Sequence, residues 1–480
     1  MNRVVLVYPP YHFRSPEWLQ PPLVIAHLFS ILEKTGLERI DAIDLDIEFN
    51  ERSESVDYFL RKAVKRVESY EPTVVCLTCK SAQFPFSVLF TREYKQSHPD
   101  TKIIIGGWMP TLIPELTLQL SGCDAVIRGE GDRTLPELLR KEDVGSLSVS
   151  GVSYVLSGKE RKIIHNPNST VLSQEELDNM PLPRYDCLPP VCKYQPGYRN
   201  FGFTVEASRG CTNHKCIFCW NSTKNCDTNW RAKNPRRVVS EIRYLADKYD
   251  AYEIFFADDS FGAEASWLNA FTSLMKDEFS PGEVTYVASM RVDVLNDDLL
   301  EKLYRTGLRR IFHGIESGSP HCWKLLGKNF EPFVTRDYIL DLVKKEIKMG
   351  IVPICSIMVG SPYESEKDLD ETIYLCRELF RLGSRFALHI LYPHEGTELS
   401  KLYHDLIEPR DIYREFGESE SFYSDYRMVF KERLKEFFEY LPDNKFVRPI
   451  MPLELFRQKY RILSSMLSTA IPPFFGEAEI

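Results

Sequence analysis

Short apolar runs alternate with amphipathic stretches along most of this 480-residue chain. In the first part, apolar runs at residues 4–8, 74–78 and 102–105 are separated by helix-like segments such as 56–70. Strands that alternate with helices predict a parallel sheet covered by helices on both faces. The pattern therefore predicts an α/β protein, with an N-terminal Rossmann-like, doubly wound parallel sheet over residues 1–142.

A second series of strands and helices predicts a partial (β/α)6 barrel over residues 199–403, with its ligand site at the carboxyl ends of the strands. The six predicted strands are residues 203–207, 253–257, 284–288, 309–314, 352–359 and 386–391. Between the two series, residues 143–198 contain a proline-rich stretch and are predicted to be a connector. Residues 404–480 are rich in Tyr, Phe and Arg and are predicted to form a helical C-terminal region.

Composition excludes several classes of function. The hydrophobic fraction of 43% is that of a folded globular protein, and the net charge of −9 is spread along the chain without a dense block of Lys and Arg. We therefore expect no nucleic-acid partner. Because no apolar run approaches the length that spans a bilayer and no signal peptide is evident, we expect a cytoplasmic protein without a membrane partner. The 12 cysteines are then expected to be reduced thiols.

Three cysteines lie close together after the first predicted strand of the second series. Cys211, Cys216 and Cys219 fall within nine residues. Three thiolates on one loop bind three irons of a [4Fe-4S] cluster and leave the fourth iron open to a small chelating ligand. Two alternatives remain at this point: a zinc site with His214 as the fourth ligand, or loop cysteines that bind no metal.

At this loop the chain resembles the radical S-adenosylmethionine (SAM) superfamily, although four residues rather than the usual three separate the first two cysteines. Later segments resemble landmarks of the same superfamily in their usual order: residues 255–261, 291–293, 314–319, 360–365 and 393–399. The resemblance implies a [4Fe-4S] cluster, SAM, and an electron donor such as flavodoxin or ferredoxin. It also implies SAM-binding residues, namely Phe218, Asp258, Asp259, Arg291 and Glu316.

The chemistry of SAM agrees with these residue types. Carboxylates such as Asp259 and Glu316 suit the ribose hydroxyls and the ammonium group, while Arg291 suits the carboxylate. For each of these residues the alternative is a structural salt bridge or a helix cap. The sequence assigns no catalytic side chain.

The N-terminal half resembles the cobalamin-binding domain that precedes the barrel in one large class of the superfamily. It lacks the Asp-x-His-x-x-Gly stretch that supplies a histidine to cobalt in other cobalamin proteins, so the resemblance implies cobalamin bound without a histidine ligand. The alternative is a Rossmann-like domain that binds a substrate or partner. The expected cobalamin-binding residues lie at strand ends: Tyr8, Pro9, Pro10, Thr78, Lys80, Ser81, Gly106, Gly107, Trp108, Gly129 and Glu130.

This resemblance implies a cobalamin-dependent radical methyltransferase that acts on an unactivated carbon of a peptide or natural-product substrate. Two alternatives stay open: a radical enzyme that catalyses cyclisation, rearrangement or epimerisation, and a non-catalytic protein that binds a cluster and SAM. A methylthio-transferring enzyme is disfavoured, because Cys76, Cys79 and Cys123 do not have the spacing of a second cluster motif.

Overall fold

The computed structural model describes most of the chain, and its contacts divide the chain into two compact units. The units comprise residues 1–199, 223–227 and 411–442, and residues 200–222, 228–410 and 443–480. The described residues are 3–10, 20–48, 56–80, 83–140, 148–156, 162–194, 202–222, 228–361, 364–391, 394, 396–402, 407–409 and 445–447.

The first unit is built on one sheet with helices. Its strands are β1 (Arg3–Tyr8), β2 (Arg39–Asp44), β3 (Val74–Thr78), β4 (Lys102–Gly106), β5 (Ala125–Ile127), β6 (Val152–Leu156) and β7 (Lys162–His165). Its helices are α1 (Leu23–Glu33), α2 (Leu45–Glu48), α3 (Val56–Glu68), α4 (Phe84–Ser97), α5 (Trp108–Leu112), α6 (Pro114–Ser121), α7 (Gly131–Arg140) and α8 (Gln174–Asp178).

The strand order of this sheet predicts a crevice at the carboxyl ends of two neighbouring central strands. The order is β2-β1-β3-β4-β5-β6-β7. The first five strands run parallel, and β6 and β7 extend the sheet in antiparallel fashion. The chain winds outward in opposite directions from β1 and β3, and at such a switch point ligands bind beyond the carboxyl ends of the strands. The residues that follow β1 and β3 therefore border the crevice.

The second unit contains a parallel sheet of six strands. The strands of the unit are β8 (Gly202–Val205), β9 (Ser208–Arg209), β10 (Arg231–Ala232), β11 (Glu253–Phe256), β12 (Thr285–Ser289), β13 (Leu308–Glu316), β14 (Val352–Val359), β15 (Arg385–Ile390), β16 (Ile407–Pro409) and β17 (Lys445–Val447). The helices are α9 (Pro235–Tyr249), α10 (Ala265–Glu278), α11 (Asp297–Arg305), α12 (Pro320–Leu325), α13 (Arg336–Met349), α14 (Glu366–Leu382) and α15 (Glu398–Leu402).

Consecutive strands of the second unit are neighbours in the sheet. The order is β15-β14-β13-β12-β11-β8, and all five pairings are parallel. A helix lies between each of these strands and the next, which is the repeat of a partial barrel. The loops that carry ligand-binding residues therefore meet at the carboxyl ends of the six strands.

The predicted α/β class, with a Rossmann-like sheet followed by a partial barrel, is confirmed. Element ends differ from the predictions where local hydrogen bonds decide them. Helix α14 begins at Glu366 because Ser365 and Asp368 form a capping box that closes its first turn. In the predicted helical C-terminal region, the described residues form the antiparallel pair β16–β17, and the rest of that region lies outside the described residues. Among the described helices, none is long and apolar enough to cross a membrane.

Candidate functional site

The cysteine loop, residues 210–219, begins directly after β9. Gly210 has a φ of +81°, a left-handed conformation that glycine adopts without strain, and the backbone N–H of Cys211 donates to the carbonyl of Thr228 over 3.0 Å. Inside the loop, the buried amide of Asn213 donates to Sγ of Cys216 and to the carbonyl of Gly327, both over 3.2 Å. Asn213 thus ties a predicted cluster ligand to the segment that follows α12.

The other side of the cysteine loop forms hydrogen bonds with the segment that follows α12 and with α15. The N–H of Ile217 donates to the carbonyl of Leu326 over 3.0 Å, and the carbonyl of Ile217 accepts from Leu399 over 2.7 Å. Ile217 and Phe218 pack against buried Leu326, Met358, Leu391 and Leu399. Phe218, predicted to bind SAM, therefore seals the apolar side of the loop in this structure.

The three thiols fit the donor set of an iron–sulfur cluster. Cys216 is buried, whereas Cys211 and Cys219 are partly accessible. Burial raises the pKa of Cys216 to about 11 and that of Cys219 to about 12, so iron must displace a proton from each of these thiols when it binds. Within the described residues, no group of three or more His, Cys, Asp or Glu side chains converges on one metal ion. Cluster ligands bind different irons and need no such convergence.

Asp258 and Asp259, which follow β11, have different surroundings. Asp258 is buried, accepts from the N–H of Ala207 over 3.0 Å and from the Ser208 hydroxyl, and burial raises its pKa to about 7. It therefore fixes the strand that leads into the cysteine loop. Asp259 meets solvent, yet the surrounding protein raises its pKa to about 6 by desolvation, against hydrogen bonds from Asn221 and Trp220. Asp259 is the better placed of the two to face a ligand.

Glu316 lies at the end of β13 in a strained conformation. Its φ is +69°, which is uncommon for a residue other than glycine, and the pairing of β13 with β14 shifts register between Gly314 and Glu316. One carboxylate oxygen accepts from Nζ of Lys328 over 3.0 Å, and the other accepts from the Ser356 hydroxyl over 3.2 Å. These two hydrogen bonds to its carboxylate hold Glu316 in the strained conformation.

Lys328 is a functional candidate that the sequence reasoning missed. Burial lowers the pKa of Lys328, but the charge of Glu316 and the hydrogen bond to it raise this pKa. The net pKa lies above its usual value, so Lys328 remains a cation. The same pair acts on Cys216: burial is the main cause that raises the pKa of this thiol, Lys328 lowers it, and Glu316 raises it. Lys328 and Glu316 are therefore close to a predicted cluster ligand. A lysine in an irregular loop carries no periodic signal that would single it out.

Arg291 is engaged in the protein itself. Its Nε donates to Asp293 over 2.9 Å, and its second terminal nitrogen donates to the carbonyl of Asn329 over 2.7 Å. The guanidinium therefore holds the loop that carries Lys328.

In the first unit, the structure places the predicted residues at the carboxyl ends of parallel strands. Tyr8 ends β1 and is followed by Pro9 and Pro10. Thr78 ends β3 and Lys80 lies two residues beyond it, on the other side of the switch point. Lys80 is exposed to solvent, yet the protein around it lowers its pKa by desolvation, and only Asp46 opposes this shift. Ser81 lies outside the described residues.

Gly107 allows two strand ends to approach each other. Its φ is +112°, and a Cβ at this position would lie 2.6 Å from the carbonyl oxygen of Cys79. Gly106 ends β4, and Trp108 begins α5 beside it. At this point the backbone that follows β4 therefore packs directly against the backbone that follows β3, an approach that only glycine allows.

Gly129 and Glu130 follow β5 and make contacts within the first unit. The N–H of Gly129 donates to the Thr111 hydroxyl over 2.9 Å. The carboxylate of Glu130 accepts from the N–H of Leu172 over 2.7 Å. Glu130 therefore anchors the chain that follows β7.

Comparison with known proteins decides the family. A model described as the radical SAM superfamily matches residues 205–376, and a model described as a B12-binding domain matches residues 19–139. The chain is a radical SAM enzyme with a B12-binding domain. Its cofactors are a [4Fe-4S] cluster and SAM for the first domain type and cobalamin for the second. This confirms the resemblance to the radical SAM superfamily and to its cobalamin-binding class that the sequence showed.

Two curated relatives share most of their length with this radical SAM enzyme. An uncharacterized methyltransferase of Pyrococcus horikoshii is 28% identical over 404 residues, which are 83% of this chain and 82% of that protein. The anaerobic magnesium-protoporphyrin IX monomethyl ester cyclase of Rubrivivax gelatinosus is 24% identical over 430 residues, 86% of this chain and 71% of that protein.

Solved structures show the same fold at low sequence identity. The cobalamin-dependent SAM radical enzyme OxsB, with aqua-cobalamin and SAM bound, superposes with a TM-score of 0.70 at 16% identity and covers 96% of this chain, which spans 66% of OxsB. The radical SAM methyltransferase TsrM from Kitasatospora setae, with cobalamin and a [4Fe-4S] cluster bound, gives 0.67 at 14% identity, over 98% of this chain and 92% of TsrM.

Proposed function

We propose that this enzyme transfers a methyl group from SAM to an unactivated carbon of a peptide or natural-product substrate. The observation that supports it most is the presence, in one chain, of a three-cysteine loop after a barrel strand and a B12-binding domain with an open switch point. The methyltransferase relative from Pyrococcus horikoshii supports methyl transfer as the reaction.

Cys211, Cys216 and Cys219 would hold the cluster, and the open iron would take the amine and carboxylate of SAM. Lys328 is the cation beside Cys216, so we assign it to the SAM carboxylate in place of Arg291, which is bound to Asp293. Glu316 keeps Lys328 in position, and Asp259 faces the polar part of the nucleoside.

The cofactors supply the bond-breaking chemistry when they are bound. When bound at Cys211, Cys216 and Cys219, the cluster would supply the electron for reductive cleavage of SAM, and cobalamin in the first unit would supply a carrier for the methyl group of a second SAM. The contribution of the protein is to orient SAM and to exclude water. The apolar packing of Ile217 and Phe218 on Leu326, Met358, Leu391 and Leu399 serves the second task.

A second candidate function is a radical cyclisation, which the relative from Rubrivivax gelatinosus favours. Cyclisation consumes SAM only as a source of the radical and forms no S-adenosylhomocysteine. Methyl transfer forms S-adenosylhomocysteine for each methyl group that leaves SAM. The two products of SAM therefore separate the two reactions.

The test is an anaerobic assay of the enzyme reconstituted with iron and sulfide, with and without hydroxocobalamin, after reduction by titanium(III) citrate. Methyl transfer predicts 5'-deoxyadenosine in both samples and S-adenosylhomocysteine only in the sample with cobalamin. The appearance of 5'-deoxyadenosine alone in both samples would instead favour a radical reaction without methyl transfer. If neither product forms, the proposed function is wrong.

A further inference from the structure

A concavity of about 800 Å³ opens on the connection between α12 and α13. Lys324, Lys328, Phe330, Arg336 and Tyr374 are among its lining residues. Two aromatic side chains are unusually exposed in this area: Tyr374 on the lining, at 52%, and Phe333, which lies between two lining residues in sequence, at 51%. Exposed aromatic and arginine side chains around a concave surface are typical of protein interaction sites.

This concavity lies directly behind the cysteine loop. The carbonyl of Leu326 accepts from the N–H of Ile217, the residue after Cys216, and the carbonyl of Gly327 accepts from Asn213. A Cβ at Gly327 would collide with the carbonyl oxygen of Lys215. One hydrogen bond therefore separates the segment that lines the concavity from the residue next to a cluster ligand.

Positive charges surround the point of closest approach. Lys324 is exposed, Arg336 is partly exposed, and Lys215 is exposed on the cysteine loop beside Gly327. The acidic residues of the lining are Glu331 and Asp337, and Asp337 lies in the first turn of α13, where the positive end of the helix offsets its charge. The lining therefore contains three basic residues, of which Lys328 is paired with Glu316, against two acidic ones, on a chain whose net charge is −9.

The cluster must receive one electron from outside for each SAM that it cleaves. Electron-transfer partners bind through small, weak interfaces that complementary charges steer into place. A donor that docks at the concavity brings its redox centre within a short path of Cys216 through Leu326 and Ile217.

We propose that the carrier surface, defined as Lys324, Phe333, Arg336, Tyr374 and the concavity between them, docks an acidic one-electron carrier protein that reduces the cluster. The carrier loses one electron and the cluster gains it, and no atom is transferred. The inference rests on the proposed function, because a cluster that did not cleave SAM would need no such donor.

Charge reversal on the carrier surface tests this inference, with purified flavodoxin in its hydroquinone state as the probe and formation of 5'-deoxyadenosine as the readout. For Lys324→Glu and for Arg336→Glu, the flavodoxin concentration that gives half the maximal rate is expected to rise by about fivefold or more. The rate with titanium(III) citrate, a small reductant that needs no docking surface, is expected to stay within about twofold of wild type.

The two substitutions have opposite effects on helix stability, which separates docking from folding. Lys324 lies in the last turn of α12, where an acidic residue is unfavourable, whereas Arg336 begins α13, where an acidic residue is favourable. The matched control is Lys348→Glu, an exposed lysine in the last turn of α13, which precedes the amino end of β14 and so lies at the opposite end of the sheet. It should leave both rates unchanged.

Each outcome decides something different. Unchanged flavodoxin kinetics in both variants, or failure of flavodoxin to reduce wild-type enzyme that titanium(III) citrate does reduce, would overturn the carrier surface. Equal losses with both reductants would also overturn it, because they would indicate damage to the site. No cleavage of SAM by the wild type with either reductant would refute the proposed function instead.

Discussion

Nζ of Lys328 lies 3.0 Å from Oε1 of Glu316, and this pair joins an irregular loop to the end of a barrel strand. The lysine side chain is 11% exposed and the glutamate side chain 9%. Removing two charges this far from water costs free energy of folding that their attraction does not fully recover. A pair of this kind is therefore expected to serve a purpose other than stability. Their proximity to Cys216 and the positive φ of Glu316 support our proposal that Lys328 presents a cation to the SAM carboxylate.

Removal of the lysine should weaken both folding and SAM binding. Lys328→Met leaves Glu316 buried without its cation, so the free energy of unfolding should fall by about 3 kcal/mol. The Kd for SAM, measured anaerobically by calorimetry on cluster-loaded enzyme, should rise about tenfold or more. As a control, Lys345→Met removes an exposed pair with Asp297 and should leave the free energy of unfolding close to that of wild type.

The double variant Lys328→Met with Glu316→Gln separates these two effects. With no unpaired charge left, its stability should recover toward wild type, while its SAM affinity should stay low. Wild-type affinity for SAM in the double variant would contradict the assignment of Lys328.

Gly327 should be needed for cluster assembly. Gly327→Ala places a methyl group against the carbonyl of Lys215, next to Cys216, so the cysteine loop must move and the protein should lose most of its cluster iron. The matched control is Gly383→Ala, which has a φ of +97° and no atom within 4 Å of the added Cβ. Both substitutions strain the backbone by about 1 kcal/mol, but only the first should reduce the iron content. Equal iron contents would show that the contact is unimportant.

Gly107 should be needed for cobalamin and not for the cluster. Gly107→Ala forces Cys79 away from the end of β4, and the Kd for hydroxocobalamin, measured by absorbance titration, should rise about tenfold. Gly36→Ala is the control, because its φ of +76° is similarly positive and nothing lies within 4 Å of the new Cβ. The iron content should be that of wild type in both variants. Unchanged cobalamin affinity would remove Gly107 from the predicted site.

A buried histidine predicts a specific dependence of stability on pH. His313 is fully buried between the carbonyl of Met290 and the carboxylate of Glu346, and its Nε2 lies 2.8 Å from that carboxylate. Burial lowers the pKa of His313, but Glu346 raises it by more, so the net pKa is raised. A raised pKa contributes stability that is fully present below the unfolded value of about 6.5 and is lost as the pH rises through the folded value. The difference in melting temperature between wild type and His313→Asn apoprotein should therefore shrink as the pH rises. A constant difference across this range would refute the linkage.

Much of the fold was predictable because its signals are local. Apolar runs such as 74–78 and 352–359 coincide with β3 and β14 residue for residue. The strand order was not predictable, because the period of an apolar run does not say which strand pairs with it. The switch point between β1 and β3 emerges only from the pairing of Val4 with Ile40 on one side and Val74 on the other.

The candidate site divides in the same way. The cysteines were predictable from their spacing, but the roles of their neighbours depend on distant contacts. Asp258 and Asp259 are adjacent in sequence, yet one is buried beneath the cysteine loop and the other meets solvent. Lys328 could not be found at all from sequence reasoning, since its importance comes from Glu316, twelve positions earlier in the chain and on another element.

The electron paramagnetic resonance spectrum of the reduced cluster, recorded before and after SAM is added, tests the central claim most directly. A cluster on Cys211, Cys216 and Cys219 has an open iron, so SAM should bind that iron and shift the spectrum. Cys219→Ala should lose the signal altogether. A wild-type spectrum that SAM leaves unchanged would mean that no iron is open to SAM, and it would contradict the assignment of this chain as an enzyme that cleaves SAM at this cluster.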